Sequence, residues 1–255
     1  MDIDSRIVWC ALLIVYVVFV SSAPQQGVGI TRFDPKHGNT LLVQDGTVQM
    51  LIGGGGDESL LSSLPSKMSW FDKRIEVIIV PTWKSEDIMS LVSILDRYDV
   101  GAVVLPRSGK IDPQGEMLIS EIVRRHIPYR FAEYGQRITA NRITLRIMAG
   151  GPAIAFRADI RDVSIIVLGD ANAKMQQQLL GSVPTEAFPA KILYAEKHGT
   201  KPPSIIPGLL QAISPNISFS DLPYDATLAF RVNSWFMKCV HETDLPFLQH
   251  YCMNK

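Results

Sequence analysis

The stretch "VPTWKSEDIM" places a threonine, a tryptophan, a lysine, a serine and two acids at six consecutive positions, Thr82 to Asp87. It follows the apolar run "IEVIIV" and leads into the helical pattern "IMSLVSILDRY". Loops leaving the ends of buried strands are where α/β proteins commonly keep their chemistry. Two more candidates occupy comparable places: Asp170 closes the strand pattern "VSIIVLGD", and His198 lies just beyond another in "YAEKHGTK". Carboxylates and an imidazole at strand ends suit a divalent cation, while lysine among acids suits ion pairing. Each residue also has a plain structural reading. Ser85 is placed to cap the following helix, and Glu86 and Asp87 to complement its dipole from the first turn. Asp170 is placed to cap the next helix, and a lone histidine is commonly structural. "LIGGGG" (Leu51 to Gly56) permits close backbone approach, but no lysine-serine or lysine-threonine follows, so it reads as a strand-to-helix turn and not a phosphate loop.

The elements that must position these residues read as strands, helices and strands again. "GITRFDP" and "NTLLVQDG" flank a turn, and "DGTVQMLIGGGG" adds a strand. "DESLLSSLPSKMSWF", "SEDIMSLVSILDRYD" and "PQGEMLISEIVRRHI" carry helical spacing, with "IEVIIV" and "VGAVVLP" as buried strands between them. A second series begins near "IPYRFAEYGQRI", continues through "ITLRIMAG", "AIAFRA" and "VSIIVLGD", and adds the helix "AKMQQQLLGS" and the strand "AKILYAE". Two successive mixed halves rich in hairpins predict two packed sheets with helices outside, a four-layer α/β/β/α sandwich.

The 255 residues are 47% hydrophobic and 20% charged, with zero formal net charge. This is an ordinary globular composition without a global pull toward polyanions. The three cysteines, Cys10, Cys239 and Cys252, have no zinc spacing; Cys239 and Cys252 read as unpaired thiols, with a disulfide between them as the alternative in an oxidising compartment. "IVWCALLIVYVVFV" (Ile7 to Val20), followed by "SSAPQQG", makes residues 1–27 a membrane anchor or an export signal segment. The globular domain is expected over 28–231, outside the cytoplasm. Residues 232–255, with Trp235, Phe236, Phe247 and Tyr251, read as a helical extension.

Taken in order, the pieces resemble a family. "RFDPKHGNTLLV", "MLIGGG", "IIVPTWKSEDIMSL", "YDVGAVVLP", "VLGDA", "AKILYAEKHGTK" and "AISPNISFSDLP" are similar to successive segments of the extracellular metallo-β-lactamase-like domain of ComEC competence proteins, over roughly Ile30 to Phe230. The resemblance implies the metallo-β-lactamase fold, the same α/β/β/α sandwich. It also implies a site at the strand ends, where active members bind two metal ions that generate hydroxide and clamp a phosphodiester. In competence proteins the domain is thought to degrade one DNA strand during uptake.

This chain departs from the family's ligand pattern, His-x-His-x-Asp-His. Position by position the cluster reads Thr82, Lys84, Glu86 and Asp87, with Asp170 at the bridging aspartate and Lys197 and His198 at the later histidine pair. Thr82, Lys84 and Lys197 are poor replacements for imidazole, and a protonated lysine repels a metal. Glu86, Asp87, Asp170 and His198 remain as candidate ligands. The resulting expectation is a non-catalytic module with no cofactor, binding DNA or a membrane-associated protein at the cell surface. In it, Lys84 pairs with Asp170 in the former metal space. The alternatives are a divergent phosphodiesterase or nuclease holding zinc or manganese, and a structural subunit. Arg124, Arg125, Arg130, Arg137, Arg142 and Arg146, continued by Arg157 and Arg161, are opposed within their own stretch only by Glu133 and Asp159. They form a candidate nucleic-acid surface with an ordinary solvated face as the plain alternative, and few aromatics interleave with them to stack on bases.

Overall fold

Side-chain alternation sorts the strands onto two facing sheets. In the computed structural model, which describes residues 9–10, 12–13, 27–33, 40–55, 58–69, 71–195, 204–218 and 227–230, the first sheet begins with β1 (Val28–Phe33), β2 (Thr40–Asp45) and β3 (Val48–Ile52). It continues through β4 (Arg74–Ile79), β5 (Asp99–Leu105) and β6 (Tyr129–Phe131). The second holds β7 (Arg137–Ala140), β8 (Ile143–Gly150), β9 (Ile154–Ile160), β10 (Val163–Val167), β11 (Ile192–Tyr194) and β12 (Ile217–Ser218). β13 (Thr227–Phe230) returns to the first sheet, whose order is β13-β1-β2-β3-β4-β5-β6; the second runs β12-β11-β10-β9-β8-β7.

Each sheet is antiparallel in one half and parallel in the other. Strands of the parallel half are buried on both faces, which is why "IEVIIV" has no polar alternation at its end. Val77 and Ile79 enter the core between the sheets, while Ile75, Ile78 and Val80 face the helices.

Those helices are α1 (Ser59–Lys67), α2 (Ser85–Ile88), α3 (Leu91–Arg97) and α4 (Pro113–Arg124) on the first sheet. Helices α5 (Ala173–Ser182) and α6 (Pro207–Ile213) cover the second. Leu60, Leu64, Leu91, Ile94 and Leu118 close the first outer layer, and Leu179, Leu209 and Ile213 the other. The expected α/β/β/α sandwich is therefore the architecture found.

Two elements differ from expectation: β6, read as the start of the second series, is the edge strand of the first sheet beside β5, and a helix is divided. "SEDIMSLVSILDRYD" reads as one helix, but it breaks between α2 and α3 at Met89 and Ser90. The Asp87 carbonyl, which a continuous helix would offer to the Leu91 amide, accepts from the Gly54 amide at 2.6 Å. Gly54 makes that approach possible, because a Cβ there would lie 2.3 Å from Leu91 Cγ. The glycine run is thus a packing feature that docks α2 and α3 against the end of β3.

The end of the sandwich opposite this loop is latched by Asp45, whose side chain is 2% exposed and accepts from Arg161 Nε at 2.9 Å. Arg161 lies in the β9–β10 turn, so the contact joins the two sheets. Among the described residues, no helix is long and apolar enough to cross a membrane. The anchor or signal segment falls almost wholly outside the described residues, as do the C-terminal extension, Cys239 and Cys252.

Candidate functional site

The loop after β4 crosses from one sheet to the other. Thr82 forms an isolated antiparallel bridge with Ala153, and the Ile154 amide donates to the Pro81 carbonyl at 2.9 Å. The residues of "TWKSED" are thereby fixed over the gap between the sheets. Asp170 arrives from the other side, after β10 and the turn at Gly169, where φ is +54°. The chain's local order makes each of these a strand-end residue; the sandwich brings them face to face.

The Lys84 ammonium donates to Asp170 Oδ2 and lies 3.8 Å from Glu86 Oε1. The expected Lys84–Asp170 ion pair is present, and it links the strand-end loops of both sheets. Burial works against the lysine's charge, but the hydrogen bond and charge of Asp170, with Glu86 and Asp87, outweigh it. The Lys84 pKa is raised above its ordinary value.

Asp87 points elsewhere. It is 1% exposed, and its Oδ2 accepts the Thr82 hydroxyl, whose oxygen also accepts from the Lys84 amide at 3.1 Å. Asp87 Oδ1 is buried without a hydrogen-bond partner among the described residues. Desolvation pushes its carboxyl up to about 7; the Thr82 hydrogen bond and the Lys84 charge oppose that rise, and Glu86 and Asp170 add to it.

Ser85 does not cap its helix. Lys84 occupies the cap position without a side-chain bond, and Ser85 Oγ donates instead to Asp112 Oδ2 at 2.5 Å. Glu86 and Asp87 do lie in the first turn. Asp112 caps α4, accepting from the Gly115 amide at 2.9 Å, with Pro113 at the first helical position. The Ser85 and Gly115 donors hold the Asp112 carboxyl below its ordinary value. Sequence reasoning missed this residue, although "DPQGE" carries the aspartate-proline signature of a helix start. Trp83 is buried against the glycines at 109 and 115 and belongs to the helix-side core.

These residues border a cleft of about 710 Å³, lined by Thr82, Lys84, Lys110, Asp112, Asp170 and Lys174 among others. Lys110 and Lys174 have no ion pair among the described residues, and neither was apparent as a site residue from sequence. Lys174 sits in the first turn of α5, the end where a cation opposes the helix dipole. Lysines therefore outnumber acids around the cleft.

Among the described residues, no group of three or more His, Cys, Asp or Glu side chains is placed to hold a metal ion. Lys197 and His198 lie outside the described residues. The described donors alone do not fit a two-metal centre. Asp170 and Glu86 face an ammonium, Asp87 is turned onto Thr82, and the position beside Asp170 already holds a positive charge.

The arginines divide into groups. Arg124 and Arg125 are bound by Glu121 and Asp96, and Arg142 lies 3.9 Å from buried Asp45. Arg157 is held by Asp159 and Arg161 by Asp45. Much of the opposing charge thus comes from outside the arginine-rich stretch, while Glu133 pairs with Arg107. Arg130, Arg137 and Arg146 have no ion pair among the described residues. Tyr129, Phe131 and Tyr134 are all exposed in this region, more aromatic surface than the sequence pattern suggested.

No family model and no curated protein matches this chain. Among solved structures, it is similar to the metallo-β-lactamase fold protein YhfI from Bacillus subtilis, at 14% identity and TM-score 0.48 over 68% of this chain and 75% of that one. It is also similar to a diphosphatase of the PhnP family, at 11% identity and TM-score 0.47 over 75% and 83%. A third is the short form of human tRNase Z, at 8% identity and TM-score 0.49 over 78% and 98%. Likeness at this level carries no activity across to this chain.

Proposed function

We propose that this chain is a non-hydrolytic binding module on a metallo-β-lactamase-type scaffold, related to the ComEC domain, with an anion-binding cleft where active members hold metals. One observation carries the reading: the Lys84 ammonium stands between Asp170 and Glu86 at the meeting of the strand-end loops. A fixed ammonium offsets the charge of Asp170 and Glu86 without the open coordination positions and acidified water that a metal hydrolase needs. Lys110 and Lys174, which have no ion pair among the described residues, line the cleft and suit a phosphate-bearing partner. Presentation outside the cytoplasm, on an anchor formed by residues 1–27, belongs to the same reading, with nucleic acid as the partner.

Elemental analysis of the full-length protein tests it. Zinc and manganese well below one equivalent, unchanged by Asp170→Ala, are expected. A full equivalent or more that is lost in Asp170→Ala would overturn the reading in favour of the metal-dependent alternative, for which Glu86, Asp87, Asp170 and His198 are the candidate ligands.

A further inference from the structure

The register of the second sheet lines up three arginines that the sequence spaces irregularly. Arg137 lies directly opposite Arg146 on the neighbouring strand, and Arg146 directly opposite Arg157 on the next. Ile138, Leu145, Ile147, Phe156 and Ala158 turn inward, so the arginines share the outer face. Like charges directly opposite one another in a sheet are unfavourable. Arg157 is relieved of this by Asp159 and by the carbonyls of Ala187 and Pro189. Arg137 and Arg146 have no such relief among the described residues. The next row on the same face is Thr139, Thr144 and Asp159, which sets hydroxyls beside the two guanidinium groups.

An aromatic residue is tied to both β8 and α5. The Gly135 amide donates to the Ile147 carbonyl at 2.9 Å, and the Ile147 amide to the Gln136 carbonyl at 2.9 Å. The backbone next to Tyr134 is therefore held against β8 at Ile147, and Ala149, two residues further along β8, lines the cleft. The Tyr134 hydroxyl donates to the Ser182 carbonyl at the end of α5 at 2.9 Å, yet the residue remains 56% exposed. The same helix carries Lys174 and Gln178 into the cleft, so α5 traces a path from the cleft to the Ser182 carbonyl that holds Tyr134. Among the described acids along the path, Asp170 is paired with Lys84, Asp159 with Arg157 and Glu133 with Arg107, while Asp112 accepts from Ser85 and keeps its negative charge.

We infer that this path binds single-stranded nucleic acid, with backbone phosphates on Arg137 and Arg146 and one base stacked on Tyr134. The strand continues toward Lys110 and Lys174 at the cleft. Guanidinium and hydroxyl groups engage phosphate without reading sequence. A pinned, exposed ring favours a strand whose bases are free to stack, which a duplex does not offer. An acidic peptide would use the arginines and leave the ring idle. This inference rests on the anion-binding reading of the cleft and extends it to a surface outside the cleft.

The test is fluorescence anisotropy of a short labelled oligothymidylate with the full-length protein in neutral detergent, across a salt series. The double variant Arg137→Ala/Arg146→Ala is expected to lower the salt slope of log K by about 1.4, at roughly 0.7 per single-strand phosphate contact. Tyr134→Ala is expected to weaken binding by about tenfold, while Tyr134→Phe, which keeps the ring but loses its bond to the Ser182 carbonyl, weakens it less. Unchanged melting temperatures show that the variants fold. Absence of binding at low salt overturns the inference, as does equal binding of a duplex unaffected by Tyr134→Ala. Binding that responds to Lys110→Ala/Lys174→Ala but to neither the arginine nor the tyrosine variants also overturns it, and leaves the cleft reading standing. Stoichiometric metal in the wild-type protein removes the cleft reading independently of these results.

Discussion

Replacing Asp87 with asparagine tests whether the buried carboxylate is tolerated at a cost that depends on pH. Asp87 is 1% exposed, accepts from Thr82 at one oxygen, and lacks a partner for the other among the described residues. Burial lifts its pKa from 3.8 to about 7. For an acid with a raised folded-state pKa, the folded protein binds the proton more tightly than the unfolded chain. Its contribution is therefore full below about 3.8 and is lost as pH rises through about 7. Between about pH 5 and about pH 8, this amounts to roughly 2–3 kcal/mol for the single group.

The carboxamide of the Asp87→Asn variant cannot ionise. The difference in unfolding free energy between wild type and variant should therefore drift by that amount across the interval, in favour of the variant at high pH. Urea denaturation followed by tryptophan fluorescence at the two pH values measures it. Taking the difference removes other titrating groups, including Asp112. With a domain of this size, a drift of that kind moves the relative melting temperatures by about 5–10 °C. A difference that stays constant with pH would show that Asp87 ionises freely, and the account of its burial would fail.

Lys84→Ala should lower stability by about 1 kcal/mol, because the pair is half-exposed and lies between the surface and buried limits. The raised lysine pKa means that this contribution is full below 10.5, the ordinary value, and disappears as pH rises through the higher folded value, which melts on either side of that range would follow. Asp112→Ala removes the α4 cap and the Ser85 acceptor, with an expected loss of about 1–2 kcal/mol in denaturant titration. Since that carboxyl is held below 3.8, the deficit should shrink as pH falls through its lower folded value. Gly54→Ala drives a methyl group into Leu91 Cγ and should cost about 1–3 kcal/mol, together with faster amide exchange at α2 and α3. A fully stable Gly54→Ala would refute the tight docking of those helices.

The local sequence determined most of the elements. Predominantly apolar runs marked β4 and β10, helical spacing marked α4 and α5, and the strand-end positions of Lys84 and Asp170 were legible because strand termination is a local property. Tertiary structure decided which side chains meet. The break after Asp87 depends on a carbonyl claimed by Gly54, 33 positions earlier in the chain, and Ser85 exchanges a capping role for Asp112 because α4 packs beside α2. Arginines that look unopposed in sequence divide into those paired and those without an ion pair among the described residues, because partners such as Asp45, 116 positions from Arg161, arrive through sheet packing. Strand register, invisible in any short window, aligns Arg137 with Arg146, and the backbone next to Tyr134 is held against the same strand. Periodicity specifies a strand's faces, but the neighbour on each face is chosen by the pairing of the whole sheet and by the packing of one sheet on the other.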